Sequence, residues 1–324
     1  MKVAIVGAGA VGGYVGAKLA RAGEHVTFMA RGTNLQVLRD TGITLLLPDG
    51  TTQGPTHVSA TDDYPATGHQ DLLILAVKAH QLEAVAAPAS HLIGPHTLIV
   101  TMQNGIPYWY FHQYGGALSG HILTSVDPSG HIARHIPASQ VIGCVVYPAA
   151  EQVAPGIVRL IEGDRFPVGE PDGSVSERAR TISACFEKAG FKSPVLASIR
   201  AEIWLKLWGN LAFNPISALT RSTLADICED TGARQLAFNM MSEAQRIGES
   251  LGITFRVPID KRIAGAAKVG HHKTSMLQDL EAGRTLEIDA LLGAVTELGR
   301  LTGIRTPHLD AIYALTRRLS HTIR

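Results

Sequence analysis

Lys2-Val3-Ala4-Ile5-Val6-Gly7-Ala8-Gly9-Ala10-Val11-Gly12 opens the chain, and the reading of this stretch decides the fold of the first half. The β-branched run from Lys2 to Val6 reads as a strand. Val15, Leu19 and Ala20, closing near Gly23, read as the helix that follows. Between them Gly7, Gly9 and Gly12 form Gly-x-Gly-x-x-Gly, which in this strand-turn-helix setting is the dinucleotide-binding fingerprint. Gly7 permits the tight turn, Gly9 lets backbone approach a pyrophosphate, and Gly12 lets helix and strand pack closely. The helix N-terminus at Ala10 and Val11 favours negative charge. The competing reading is an ordinary glycine-rich turn, and the intact strand and helix on either side argue against it.

The second strand, His25 to Met29, meets Ala30-Arg31-Gly32-Thr33-Asn34 where an acidic residue would hold the adenosine ribose of NAD. A carboxylate would repel a 2′-phosphate, whereas Arg31 can pair with one through two parallel hydrogen bonds, so the expected cofactor is NADPH. The alternative is a solvated loop arginine. Asp71 to Val77 and Thr97 to Thr101 are continuous apolar runs, suited to parallel strands covered on both faces. Ligands bind beyond the carboxyl ends of such strands, which places Lys78 and Asn104 among the cofactor candidates; Asn104-Gly105 is equally a common turn dipeptide. Ile43 to Leu47 and Gly50 to Ser59 read as a hairpin insertion around Pro48-Asp49-Gly50. From Val141 to Val168, short runs broken by Gly and Pro predict antiparallel strands extending the sheet. A helix from about Ser176 to Ala189 and the strand Pro194 to Leu196 close this half.

The totals exclude several classes. With 29 basic and 28 acidic side chains in 324 residues, the net charge of +1 gives no long-range pull towards nucleic acid or an anionic membrane. The three cysteines, Cys144, Cys185 and Cys228, are scattered and odd in number, which suggests neither a disulfide framework nor a zinc cluster. No apolar run approaches the ~20 residues that span a bilayer, and Met1 leads straight into a strand, so a cytoplasmic location is expected. No metal is expected either: adjacent His271 and His272 on a polar segment lack a third ligand at matching spacing.

From about Ser198 helical periodicity takes over, with helices expected at Ile199 to Leu219, Ala233 to Leu251, Met276 to Ala282, Leu286 to Leu301 and Leu309 to Leu319. The fold class is therefore α/β, a Rossmann-type dinucleotide-binding domain with a mainly parallel sheet over residues 1–197, followed by an all-α domain over 198–324. An active site is expected in the cleft between them. The first of these helices carries Trp204-Leu205-Lys206-Leu207-Trp208-Gly209-Asn210-Leu211-Ala212-Phe213-Asn214-Pro215. Its apolar residues occupy every side of the wheel, which marks a buried helix, yet Lys206, Asn210 and Asn214 at i, i+4 and i+8 form a polar stripe. Burying that stripe costs several kcal/mol unless each group finds a partner. Either Lys206 snorkels to an edge while the asparagines meet backbone, or the stripe faces a ligand. Ser275, with Gln278 three positions on, reads as the N-cap of a capping box; the amides of that helix start can equally receive a substrate carboxylate. Glu287 and Asp289 suit the first turn of the next helix.

Gly7-x-Gly9-x-x-Gly12, Val77-Lys78-Ala79, Gln103-Asn104-Gly105, Lys206-x-x-x-Asn210-x-x-x-Asn214-Pro215, Ser275-Met276-x-Gln278-Asp279 and Glu287-Ile288-Asp289, in this order, resemble the ketopantoate reductase (2-dehydropantoate 2-reductase) family over nearly the whole chain. The resemblance implies NADPH-dependent reduction of a small 2-keto acid to its hydroxy acid, in pantothenate biosynthesis. It implies Lys206 as general acid, Glu287 on the substrate hydroxyl, and Asn210, Asn214 and Ser275 as substrate-positioning residues. Gly7, Gly9, Gly12 and Arg31 would lie on the cofactor phosphates, with Lys78 and Asn104 along NADPH. A fixed ammonium aimed at the carbonyl oxygen would stabilise its growing negative charge and then protonate it; burial disfavours that ammonium and a nearby Glu287 favours it. Some family members carry asparagine where this chain has Leu224 and Leu292, which implies a less polar or differently shaped substrate. A reductase of another 2-keto acid, and a non-catalytic NADP-binding redox sensor, are the rival readings; the sensor would not need Lys206, Asn210, Ser275 and Glu287 together. A homodimer is compatible with all of this.

Overall fold

The computed structural model describes residues 1–323. Two compact units emerge: the first comprises Met1–Gln103, Pro107–Ile122 and Ser129–Ile199, and the second Asn104–Ile106, Leu123–Pro128 and the chain from Arg200 onward.

The first unit runs β1 (Lys2–Val6), α1 (Ala10–Arg21), β2 (His25–Met29), α2 (Gly32–Asp40), β3 (Ile43–Leu46), β4 (Thr52–Thr56), β5 (Ser59–Thr61), α3 (Tyr64–Thr67), β6 (Leu72–Leu75), α4 (Leu82–Ala89), β7 (Leu98–Thr101), α5 (His131–His135), β8 (Val141–Cys144), β9 (Ala149–Ala154), β10 (Ile157–Glu162), β11 (Val168–Gly169) and α6 (Glu177–Lys188). Its main sheet has the order β11-β8-β7-β6-β1-β2-β5. All neighbours are parallel except β11, which runs antiparallel to β8. All four residues of β6 are fully buried and β1 is buried from Val3 to Val6, as strands covered on both faces require.

The run from Val141 to Val168 does not simply extend that sheet by antiparallel strands. β8 joins it in parallel beside β7, whereas β9 and β10 pair with the β3–β4 hairpin in a separate sheet of order β4-β3-β10-β9. One-sided burial explains the choice: β10 buries Val158 and Leu160 while Arg159 stays exposed, so it needs one covering layer. That layer is α1. A Cβ on Gly13 would stand 2.7 Å from Val158 of the second sheet, and one on Gly16 would stand 2.3 Å from Phe28 of the main sheet. The helix is thus pressed between two sheets, and its small residues are what let both approach.

The hairpin turns at Pro48-Asp49-Gly50, where the Asp49 carboxylate accepts from the Thr51 amide at 2.9 Å. Its second arm ends at Thr56; Ser59 belongs to β5, on the edge of the main sheet. Pro194 to Leu196 forms no strand, only a bridge from Val195 to Val168.

The second unit holds α7 (from its second residue; Ile199–Thr220), α8 (Leu224–Glu229), α9 (Thr231–Ser250), α10 (Ile259–Lys268), α11 (Ser275–Glu281), a π-turn (Asp289–Gly293), α12 (Ala294–Thr302) and α13 (Pro307–Ser320). Trp204, Trp208, Leu211 and Ala212 of α7 are fully buried, and the Trp208 indole donates to the Met241 carbonyl at 2.7 Å. Two expectations shift. Thr274, not Ser275, caps α11, its hydroxyl accepting from the Leu277 amide at 3.3 Å. Leu286 to Ile288 are not helical, and the helix begins instead as the π-turn, whose Ala290 carbonyl accepts from the Ile106 amide at 2.8 Å. No helix among the described residues is long and apolar enough to cross a membrane.

Candidate active site

In the first unit, Gly7 follows β1 with φ +102, and a Cβ there would stand 2.9 Å from the Val77 side chain. Gly12 is tighter still, its Cβ position 2.0 Å from the Gly7 carbonyl oxygen, so both glycines answer to the protein's own packing. Gly9 differs. A Cβ on it would meet nothing within 4 Å, and it is the N-cap residue of α1 with no side-chain cap. Bare backbone before a helix N-terminus is suited to an anion, so the geometry fits a dinucleotide pyrophosphate. Ala10 and Val11, both half-buried, form the first turn of α1.

Arg31, exposed, is the N-cap residue of α2 at the carboxyl end of β2. It lies close enough to Tyr64 to act on it: burial raises the phenol's pKa, and the Arg31 charge partly offsets the rise. Lys78 precedes a 3-10 turn at Ala79–Gln81, and its amide donates to the Gln81 side chain at 3.1 Å. Gln103 clamps the end of β6 just ahead of that turn, its carboxamide donating to the Leu75 and Val77 carbonyls at 2.8 and 2.9 Å. Only its place between strand and Asn104 in the sequence hints at this role.

Asn104 belongs to the second unit. Its Oδ1 accepts from the Lys206 ammonium at 2.7 Å, and its Nδ2 donates to Glu287 Oε2 at 3.4 Å. The structure therefore joins a lysine, a carboxamide and a carboxylate from three distant stretches of chain. Lys206 is half-buried, Asn210 likewise, and Asn214 is 7% exposed, so the stripe along α7 persists as the helix enters the core. Ser275 is exposed as the first residue of α11.

Asn104 is set by its neighbours in ways the motif does not disclose. Gly105 has φ +91, and a Cβ on it would stand 2.2 Å from the Ala290 carbonyl oxygen, the same oxygen that the Ile106 amide reaches. The asparagine thus leads a segment laid directly on the π-turn, at a closeness that only glycine permits at position 105. At the start of that turn, Asp289 accepts from the Tyr313 hydroxyl at 2.6 Å. Burial, then Asp289, pushes the Tyr313 pKa up to about 12, so the phenol is a donor at neutral pH. Of the positions where polar groups were in question, Leu292 is 0% exposed and Leu224 half-buried at the start of α8. His271 lies 3.7 Å from Asp226, and no cluster of three or more metal-ligating side chains occurs among the described residues.

These features can be set beside known proteins. The family model described as Ketopantoate reductase PanE/ApbA matches residues 3–173, and its C-terminal companion matches residues 198–320. The chain belongs to the ketopantoate reductase family. A 2-dehydropantoate 2-reductase of Mesorhizobium japonicum is 53% identical over 99% of this chain and 98% of its own length. A crystal structure of a Ralstonia solanacearum MolK2 protein assigned to the ketopantoate reductases superposes with a TM-score of 0.94 at 43% identity, covering 99% of this chain and 98% of that one. D-mandelate dehydrogenase, solved with NADH and anilino(oxo)acetate, shares the fold at a TM-score of 0.85 and 21% identity, covering 100% of this chain and 99% of that one. The protein is an oxidoreductase of a family that uses NADPH, with a small molecule as its substrate.

Proposed function

We propose that the protein reduces 2-dehydropantoate, or a 2-keto acid close to it, to the 2-hydroxy acid with NADPH, in pantothenate biosynthesis. The observation that carries this reading is the Lys206 ammonium fixed 2.7 Å from Asn104, with Glu287 on the other end of the same carboxamide. A bound nicotinamide would supply the hydride. Gly7, Gly9, Ala10, Val11 and Gly12 would hold its pyrophosphate, Arg31 the 2′-phosphate, and Lys78 the neighbouring stretch of the dinucleotide. We assign cofactor binding to residues 1–197 and substrate binding to residues 198–324, with Asn104 as the exception.

As charge grows on the substrate's carbonyl oxygen, Lys206 stabilises it electrostatically and then donates its proton to that oxygen. Asn104, an acceptor only through Oδ1, keeps the ammonium aimed. Glu287 orients the substrate hydroxyl from the other end of the Asn104 carboxamide. Asn210, Asn214 and Ser275 position the remainder of the substrate. Three free cysteines support a reducing, cytoplasmic location, and we take the working assembly to be a homodimer, which sedimentation velocity measures.

The test follows NADPH oxidation against a panel of 2-keto acids that includes 2-dehydropantoate and a phenyl-bearing member. Turnover of 2-dehydropantoate with the highest kcat/KM is the expected result. Binding of NADPH without turnover of any member would favour a redox sensor instead.

A further inference from the structure

The cofactor turn is gripped from outside by a side chain that the glycine motif does not contain. Asn34, half-buried on α2, bonds through both ends of its carboxamide to neighbours in the first unit. Its Nδ2 donates to the Ala8 carbonyl at 2.9 Å. Its Oδ1 accepts from the Gly156 amide at 2.9 Å and from the Gln152 side chain at 3.1 Å. The orientation of the carboxamide follows from its partners, because a carbonyl can only accept and a backbone amide can only donate.

Both partners sit at informative places. Ala8 lies between Gly7 and Gly9, so anchoring its carbonyl fixes the plane of the Ala8–Gly9 peptide and hence the direction of the Gly9 amide. Gly156 is the bend between β9 and β10, and a Cβ on it would stand 2.6 Å from Val37 of α2. Its carbonyl in turn accepts from the Thr44 amide of β3 at 2.8 Å. Asn34 therefore ties the turn to α2 and, through Gly156, to the second sheet.

We propose that Asn34 is a positioning residue for the dinucleotide, holding the Gly7–Gly9 backbone in the conformation that receives the pyrophosphate. The proposal rests on the reading of that turn as the cofactor site. A turn held in place before binding spares the ligand the ordering cost, so the effect of Asn34 belongs to affinity and not to the chemical step. Because the pyrophosphate is common to NADPH and NADH, both should feel its loss equally. That distinguishes Asn34 from Arg31, three residues away, whose effect should follow the 2′-phosphate.

The experiment measures Kd for NADPH and NADH by isothermal titration of the full chain, in wild type, Asn34→Ala and Asn34→Asp, well below each variant's thermal midpoint. The aspartate keeps the acceptor for Gly156 but turns a carboxylate on the Ala8 carbonyl. Both variants should raise both Kd values about tenfold, the scale of one lost hydrogen bond. The NADPH-to-NADH ratio should stay within about twofold, and so should kcat at saturating NADPH; a role confined to stability would move neither Kd. Variants that bind both dinucleotides like the wild type, or that lose NADPH alone, overturn the proposal. A wild type that binds neither dinucleotide overturns the cofactor reading, and the proposal with it.

Discussion

Lys206 and Asn104 are joined by one short bond, and the kinetics of a double variant can show whether they act as one device. Lys206→Met keeps the aliphatic stem and removes the ammonium. A positioned acid contributes ~10²–10⁴-fold, so turnover should fall at least ~100-fold, or ~2.7 kcal/mol of barrier. Asn104→Ala leaves the ammonium and removes the acceptor 2.7 Å away. A hydrogen bond to a charged group contributes ~1.5–3 kcal/mol, and the partial exposure of Lys206 argues for the low end, about tenfold in kcat. The 3.4 Å contact from Asn104 to Glu287 is too long to add much. Independent effects would multiply to about 1000-fold, whereas an asparagine that acts only by aiming the lysine has nothing left to aim in Lys206→Met. The double variant should then be no slower than Lys206→Met alone. Single-turnover oxidation of bound NADPH, followed by stopped flow, reads the chemical step directly. A double variant ten times slower than Lys206→Met would refute the coupling.

Arg31→Ala should raise the Kd for NADPH by ~10–100-fold through the loss of charge-assisted bonds, with the Kd for NADH nearly unchanged; equal effects in titration calorimetry would reject the phosphate role. Gly105→Ala places a methyl 2.2 Å from the Ala290 carbonyl oxygen in a backbone conformation that disfavours side chains, so it should lower kcat more than about tenfold while NADPH affinity holds. Wild-type turnover in that variant would dismiss the contact as incidental. Glu297 accepts from the Thr124 and Ser125 amides, each at 2.8 Å; burial alone would raise its pKa, but the Ser125 and Thr124 hydrogen bonds outweigh it and hold it below the ordinary 4.5. A carboxylate with a lowered folded pKa stabilises above the unfolded value and loses that contribution as pH falls through the folded one. Urea unfolding should therefore show wild type ahead of Glu297→Gln at pH 7, with the gap closing below about pH 4.5; a gap constant down to pH 3 would contradict the assignment.

What the sequence disclosed depended on whether the cause was local. Gly7 and Gly12 were legible because turn geometry and helix–strand packing recur wherever this motif follows a strand. Gly13 was not, since its reason is the second sheet lying over α1, built from strands more than a hundred residues apart. The short β9 and β10 runs, broken by Gly and Pro, mark strands, but a strand that buries only Val158 and Leu160 on one face leaves its partner open. The α11 cap lies one residue earlier than the sequence suggests because Thr274 and Ser275 are both capable hydroxyls, and it is Thr274 that takes extended backbone and accepts from the Leu277 amide. Asn104 shows the limit best. Its position just after β7 makes it read as a cofactor residue, and nothing in the motif discloses that it also bonds to Lys206 while Gln103 beside it clamps the end of β6. No pattern in the sequence marks where, between two consecutive residues, the chain passes from one unit to the other.

The two departures from the family pattern carry unequal weight. Leu292 is 0% exposed within the π-turn, so it offers no surface for a ligand to touch, and leucine there fills core. A carboxamide at that depth would cost ~1–3 kcal/mol unless partnered, which makes the leucine a packing solution and no statement about substrate. Leu224 stands otherwise. It is half-buried as the first residue of α8, and its amide donates to the His272 carbonyl at 3.1 Å while the Ala225 amide donates to that of Gly270, also at 3.1 Å. The loop that leads into Thr274 and Ser275 is thereby tied to the turn that bears Leu224, so a change in one is felt by the other. The implication of a less polar substrate therefore narrows to Leu224 and the loop it anchors, next to the serine assigned to the substrate.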